Sequence, residues 1–108
     1  MVELNEYQKR AMTTRSANAN SLEYMTLGLV GEAGEVANKV KKILRGDYAA
    51  DDPELVATLR DEIGDCLWYV AGLVDVLGLE LDDVAQRNLE KLADRKERGV
   101  IKGNGDLR

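Results

Sequence analysis

Apolar residues recur every three or four positions through most of this chain of 108 residues, a spacing typical of amphipathic α-helices. Proline occurs once, at Pro53, and the chain has no long run of β-branched residues. The pattern therefore predicts an all-α domain, a four-helix bundle over residues 1–98, followed by a C-terminal tail over residues 99–108. We expect Asn20 to cap the second helix and Asp51 or Asp52 to cap the third. The predicted helices span about 4–16, 21–45, 53–77 and 81–97.

Two acidic pairs share one spacing, Glu32 with Glu35 and Glu62 with Asp65, and each pair puts two carboxylates on one helix face. At about 100° per residue, both pairs lie at the same offset from the apolar stripe of their helix. Packing the two stripes together would bring the four acids into one cluster, which repels itself unless a cation lies among them. Oxygen ligands suit Mg²⁺, with Mn²⁺ able to substitute, and both ions leave positions for phosphate oxygens. The sequence therefore predicts a four-carboxylate metal site.

The fourth helix carries donors and cations where the second and third carry acids, namely Asn88, Lys91 and Arg95. Because such groups bind phosphate oxygens, we expect them to bind the substrate opposite the metal. The alternative for Lys91 and Arg95 is that they complement the dipole at the end of their helix. Tyr69 lies close to the acids on the third helix, and we expect it either to line the substrate pocket beside the metal or to pack in the core.

The back of the third helix is apolar as well, which is unusual for a helix in a small bundle. Ala57, Gly64, Trp68 and Ala71 lie opposite the core stripe. We expect this face to pack against another subunit, so that oligomerisation completes the core, with Trp68 as an interface residue rather than a platform for a base.

Several polar residues have two interpretations. Lys39 and Lys42 share the acidic edge of the second helix, where they either bind phosphate or pair with neighbours such as Glu35. On the first helix, Tyr7, Gln8 and the threonines at 13–14 are candidates for contact with a base if the phosphate-containing substrate is a nucleotide.

Composition excludes several classes of function. With 20 acidic and 15 basic residues the net charge is −5, which argues against nucleic-acid binding. No apolar run approaches the roughly 20 residues of a membrane span, and the first residues lack the apolar segment of a signal peptide. The single Cys66 fits a reducing cytoplasm. Histidine is absent, which removes Ser-His and Cys-His catalysis and leaves zinc poorly supported.

Three segments of the chain resemble the MazG family of all-α nucleoside triphosphate pyrophosphohydrolases. They are 28–36 (GLVGEAGEV), 61–69 (DEIGDCLWY) and 88–92 (NLEKL) with Arg95, and they occur in the order typical of that family. The resemblance covers about residues 20–98. It implies that Glu32, Glu35, Glu62 and Asp65 bind Mg²⁺, while water attacks a phosphorus and a (deoxy)nucleoside triphosphate becomes a monophosphate and pyrophosphate. Such a reaction suits the house-cleaning of nucleotide pools.

The resemblance also suggests roles for individual residues. Glu35 is the candidate for the carboxylate that orients or deprotonates the attacking water, and Asn88, Lys91 and Arg95 match the segment on the phosphate and sugar side. Fuller MazG domains often carry a further glutamate where this chain has Gly31, which leaves the number of metal ions open. The family also implies a homodimer or homotetramer whose pocket a neighbouring subunit completes.

Two alternative functions remain compatible with the sequence. One is a related hydrolase for another nucleotide that contains a diphosphate, because relatives with other substrates share the acid pairs. The other is a helical oligomer without catalytic activity that binds nucleotide or metal, because binding and hydrolysis need nearly the same ligands.

Overall fold

The computed structural model describes residues 1–103, 105 and 106, and these contain α-helices and turns but no strand. This confirms the prediction of four helices in an all-α fold. No helix in this part of the chain is both long enough and apolar enough to cross a bilayer. The helices are α1 (Leu4–Met12), α2 (Leu22–Leu44), α3 (Pro53–Val76) and α4 (Leu81–Arg98), with a short 3-10 turn at Ala17–Ala19.

The predicted end of α1 was wrong by four residues, and the predicted cap of α2 by one. α1 ends four residues early because the hydroxyls of Thr13 and Thr14 donate to carbonyls one turn back, at 2.6 and 2.7 Å. Ser21, and not Asn20, caps α2, since the Ser21 hydroxyl accepts the backbone N–H of Tyr24 at 3.1 Å.

Helices α2 and α3 make the most extensive contact in the fold, along a line that we call the α2–α3 seam. A methyl group added at Gly72 would overlap Met25, and one added at Gly28 would overlap the ring of Tyr69. The two glycines thus let these side chains lie across the opposite helix. From one end to the other, the seam contains Met25 with Gly72, Gly28 with Tyr69, Glu32 with Glu62 and Asp65, and Lys39 with Thr58.

The seam differs from the predicted packing of the two apolar stripes. The stripe residues were expected to be buried with the acids at their edge, whereas the acids lie within the seam and much of each stripe is exposed. Periodicity identifies an apolar face but not the helix that covers it. The exposed members of the predicted stripes include Leu22, Val40, Ile63 and Leu77.

Helix α1 crosses the back of α3 and partly covers Trp68 within one chain, so this side chain is not left in water without a second subunit; the predicted contact between subunits stays a prediction. The indole N–H of Trp68 donates to the carbonyl of Ala11 at 3.2 Å and to the hydroxyl of Thr14 at 3.0 Å. Ala71, predicted for the same interface, is fully buried and packs with Val74 and the first residue of α4.

Gln8 joins α1 to the start of α4. Its side-chain amide donates to the carbonyl of Leu79 at 3.0 Å and accepts the backbone N–H of Leu81 at 2.7 Å. Since Gln8 is only 6% exposed, a structural role replaces the predicted contact with a base. α4 therefore packs on α1 and the end of α3, and among the described residues it has no contact with α2.

The single chain is unusually open for its size. Its radius of gyration is 16.5 Å, against about 13 Å for a compact domain of this length. Its accessible surface is 7848 Å², roughly 1,900 Å² more than a folded monomer of this mass exposes. Much of the excess is apolar, with large exposed side chains at Leu27, Val30, Leu44, Ile63 and Leu89.

Candidate metal and nucleotide site

Three carboxylates converge in the middle of the α2–α3 seam. One oxygen from each of Glu32, Glu62 and Asp65 lies within 4.8 Å of the other two. Glu62 and Asp65 are one turn apart on α3, and Glu32 meets them from α2. Three of the four predicted metal ligands are thus brought together.

Glu35, the fourth predicted ligand, lies one turn beyond Glu32 on α2 and is exposed. It is outside the group of three, but its negative charge is near enough to act on Glu32. The position suits a carboxylate that holds a water molecule or joins the metal when a substrate binds. Its catalytic role stays a prediction.

The carboxylates influence one another electrostatically. Burial raises the pKa of Glu32 above its usual value, and the charge of Asp65, a hydrogen bond with Glu62, and the charges of Glu62 and Glu35 raise it further. Like charges held close together disfavour the ionised form, and a bound cation removes that penalty. The all-oxygen donor set and its spacing therefore fit a hard divalent cation.

An aromatic cleft of about 290 Å³ opens beside the acids, and its lining consists of Glu32, Asp65, Trp68 and Tyr69. The rings of Trp68 and Tyr69 meet edge to face, with centroids 5.0 Å apart. Burial raises the pKa of Tyr69, and its interaction with Tyr24 and the charges of Glu32 and Asp65 raise it further, so the phenol stays protonated. The predicted position of Tyr69 next to the acids is therefore correct.

Sequence reasoning treated Trp68 as an interface residue and missed its place in this cleft. The signal was present, because Trp68 follows Asp65 by three residues and so lies on the same face one turn later. The competing feature was the apolar back of α3, which α1 covers.

The predicted substrate-side residues of α4 lie elsewhere in the single chain. Asn88 and Lys91 line a cleft of about 450 Å³ along α4 with Leu79 and Arg87. No hydrogen bond or ion pair within the described residues joins Asn88, Lys91 or Arg95 to the acids.

The tail of the chain turns back onto α4 and pairs with two of these residues. After Gly99, at φ +73°, the carboxylate of Asp106 accepts from Lys91 Nζ at 2.7 Å and from Arg95 Nη2 at 3.0 Å. Hydrogen bonds from Lys91 and Arg95 lower the pKa of Asp106, with their charges adding to the effect. The two cations thus already bind one carboxylate, although Asp106 itself is mostly exposed.

Comparison with known proteins assigns the class to which this fold and site belong. Residues 20–100 match the MazG nucleotide pyrophosphohydrolase domain, so the chain belongs to the MazG family. A similar protein is the Gene 37 protein of Mycobacterium phage L5, 56% identical over 87 residues, which are 81% of this chain and 76% of the phage protein. No solved structure matches the chain significantly. The family is one of nucleotide pyrophosphohydrolases that commonly use divalent metals, in keeping with the carboxylate cluster.

Proposed function

We propose that the chain is a Mg²⁺-dependent nucleoside triphosphate pyrophosphohydrolase, which converts (deoxy)nucleoside triphosphates to monophosphates and pyrophosphate. The observation that carries the proposal is the convergence of Glu32, Glu62 and Asp65 in a chain of the MazG family. Removal of unwanted triphosphates from the nucleotide pool is a role that suits this reaction.

The proposed mechanism places each side chain around one displacement at phosphorus. Water attacks the α-phosphorus. The linkage between the α- and β-phosphates breaks, and the electron pair of that bond leaves with pyrophosphate. Mg²⁺ held by Glu32, Glu62 and Asp65 would supply charge stabilisation for the phosphoryl oxygens. Glu35 orients the water and accepts its proton, since it lies at the edge of the cluster and not among the three converging oxygens. Trp68 and Tyr69 pack against the base or sugar in the adjoining cleft.

The active form in this proposal is a homodimer or a homotetramer. The surface excess of roughly 1,900 Å² per chain falls in the range that one protomer buries in an obligate interface. Exposed apolar residues on α2, α3 and α4 supply the contact, among them Leu27, Ile63 and Leu89. These residues extend the proposed interface beyond the face around Trp68 that the sequence predicted.

Oligomerisation also gives the residues of α4 a route to the site. Since α4 has no contact with α2 in its own chain, we place Asn88, Lys91 and Arg95 against the acids of a neighbouring protomer. There they bind the phosphate or sugar, and the nucleotide displaces Asp106. Asp106 is mostly exposed but Lys91 and Arg95 are largely buried, so the phosphate oxygens have to replace the carboxylate at both cations as it leaves.

A panel of ribo- and deoxyribonucleoside triphosphates, assayed with and without Mg²⁺, tests the function. We expect monophosphate and pyrophosphate from at least one nucleotide with Mg²⁺ or Mn²⁺, less with Ca²⁺, and none in excess chelator. Binding of nucleotide without turnover across the panel would instead support the non-catalytic oligomer. Release of orthophosphate and a diphosphate would indicate attack at the terminal phosphorus and contradict the proposal.

A further inference from the structure

A second polar cavity lies at the end of the α2–α3 seam, next to the loop that joins the two helices. Its volume is about 210 Å³, smaller than the 300–1,000 Å³ typical of sites for whole drug-sized ligands. It therefore suits a small ion or one part of a larger molecule. We call it the lysine pocket, and its lining consists of Lys39, Lys42, Tyr48, Glu54, Leu55 and Thr58.

The helical register places the lysine pocket on the same face as the carboxylate cluster. Lys39 follows Glu32 by seven residues on α2, and Thr58 precedes Asp65 by seven residues on α3. Seven residues are within about 20° of two full turns and advance about 10.5 Å along the axis. A ligand that lies along the seam from the carboxylates thus extends toward the two lysines.

The loop beside the lysine pocket has a defined conformation. The turn after α2 contains Gly46, at φ +88°, and the N–H of Asp47 donates to the carbonyl of Lys42 at 2.9 Å. The guanidinium of Arg45 binds the carboxylate of Asp47, and the carboxylate of Asp52 caps α3. These contacts flank Tyr48, which is half-buried and lines the cavity.

The two lysines are available to an anion. Within the described residues neither Lys39 nor Lys42 has an ion pair within 4.0 Å, so the sequence-based alternative of pairing with Glu35 is not seen. Two ammonium groups outweigh Glu54 in the lining, and Asp47 near Lys42 is already bound to Arg45. The Tyr48 hydroxyl adds a hydrogen-bonding group, whereas the Thr58 hydroxyl already donates to the carbonyl of Glu54 at 2.9 Å. Ammonium and hydroxyl donors in a small cavity match phosphate oxygens.

We propose that the lysine pocket binds the two distal phosphates of the substrate, the part that leaves as pyrophosphate. This proposal rests on the proposed function. It assigns the departing pyrophosphate to Lys39 and Lys42, because the roles proposed for the carboxylates and for the α4 residues do not specify which groups bind it. As the α–β linkage breaks, negative charge accumulates on the departing pyrophosphate, and the nearby ammonium groups stabilise it. The pocket therefore favours triphosphates over monophosphates.

Binding measurements on single-residue variants test the proposal without relying on turnover. Calorimetry with Mg²⁺ compares pyrophosphate, the nucleoside monophosphate and the α,β-methylene triphosphate analogue of the preferred nucleotide. We expect Lys39→Gln and Lys42→Gln each to weaken binding of pyrophosphate and the analogue about tenfold, with monophosphate binding unchanged. Glu54→Gln should strengthen binding of both. Lys41→Gln is the matched control, since it removes the same charge from the same helix outside the pocket.

The outcomes separate this proposal from the proposed function. One outcome is that nucleotides are hydrolysed to pyrophosphate while the Lys39 and Lys42 variants bind pyrophosphate as tightly as Lys41→Gln does. That result would refute pyrophosphate binding in the lysine pocket and leave the proposed function intact. Pyrophosphate that binds without displacing the analogue also overturns the proposal, because the anion then lies in a separate site. If no nucleotide in the panel is hydrolysed, the function fails, while pyrophosphate binding alone still tests the two lysines.

Discussion

Replacing Glu32 by Gln should stabilise the protein without metal and destabilise it relative to wild type when Mg²⁺ is present. Glu32 lies within 4.8 Å of both Glu62 and Asp65. At that distance two unit charges repel by about 1–2 kcal/mol if the effective dielectric constant is between about 40 and 80. Screening by salt reduces the sum of the two repulsions, so we expect a net gain of about 1–2 kcal/mol in the metal-free protein.

The difference in stability between Glu32→Gln and wild type changes sign when metal binds. At a Mg²⁺ concentration 100 times the dissociation constant, the wild-type protein gains about 2.7 kcal/mol, whereas a variant that has lost a ligand gains much less. Thermal melts at one protein concentration, with chelator and with Mg²⁺, measure both effects. We expect Glu32→Gln to melt about 5 °C or more above wild type in chelator and below it in Mg²⁺.

The pH dependence of the same comparison follows from the pKa of Glu32, which burial and the neighbouring acids raise. A raised pKa means that the folded state binds the proton more tightly than the unfolded state does. The contribution of Glu32 to the free energy of unfolding is therefore fully present below the usual pKa of glutamate. It is lost as the pH rises through the raised pKa. Without metal, the advantage of Glu32→Gln should appear as the pH rises and vanish in acid.

Asp61→Asn is the matched control, because it removes one exposed carboxylate from α3 next to the cluster without touching the three converging groups. It should respond to Mg²⁺ as the wild-type protein does. If Glu32→Gln melts at or below the wild-type temperature in chelator and both proteins gain equally from Mg²⁺, the reasoning about the cluster is refuted.

Other contacts give further predictions. Trp68→Phe removes the hydrogen bonds to α1 and should lower the free energy of unfolding in urea by about 1–2 kcal/mol, whereas no change would mean that α1 does not cover α3 in solution. Gly28→Ala should cost about 1–3 kcal/mol because its methyl group overlaps the Tyr69 ring, while Gly31→Ala, with open space around it, should gain up to about 1 kcal/mol. Equal effects would contradict the close packing at the seam. Asp106→Asn frees the cations of α4 and should lower the KM for nucleotide about two- to fivefold, while a higher KM would mean that the tail assists binding.

Local rules predicted the parts of the fold and site that depend on residues close together in sequence. The matched offsets of the acid pairs placed Glu32, Glu62 and Asp65 in one cluster, as found. Gly99 follows α4 in the left-handed conformation, at the start of the predicted tail.

Local sequence rules could not predict the features that depend on which helix covers which face. The apolar back of α3 was evident, but not that α1 would provide a carbonyl and a hydroxyl for Trp68. The seam itself depends on Gly28 and Gly72, whose missing side chains give no periodic signal. The expected position of the α4 residues facing the acids likewise assumed a closed bundle, whereas α4 leaves α2 uncovered.

The most direct test of the account is to locate the metal. Crystals grown with Mn²⁺ and the α,β-methylene triphosphate analogue, measured at the manganese absorption edge, would show the ion by its anomalous scattering. We expect a peak within metal–oxygen bonding distance, about 2.1 Å, of carboxylate oxygens from Glu32, Glu62 and Asp65, with Glu35 free to join as a further ligand. A peak bound to other residues, or none while the analogue is in place, would contradict the central claim that these three carboxylates form the metal site.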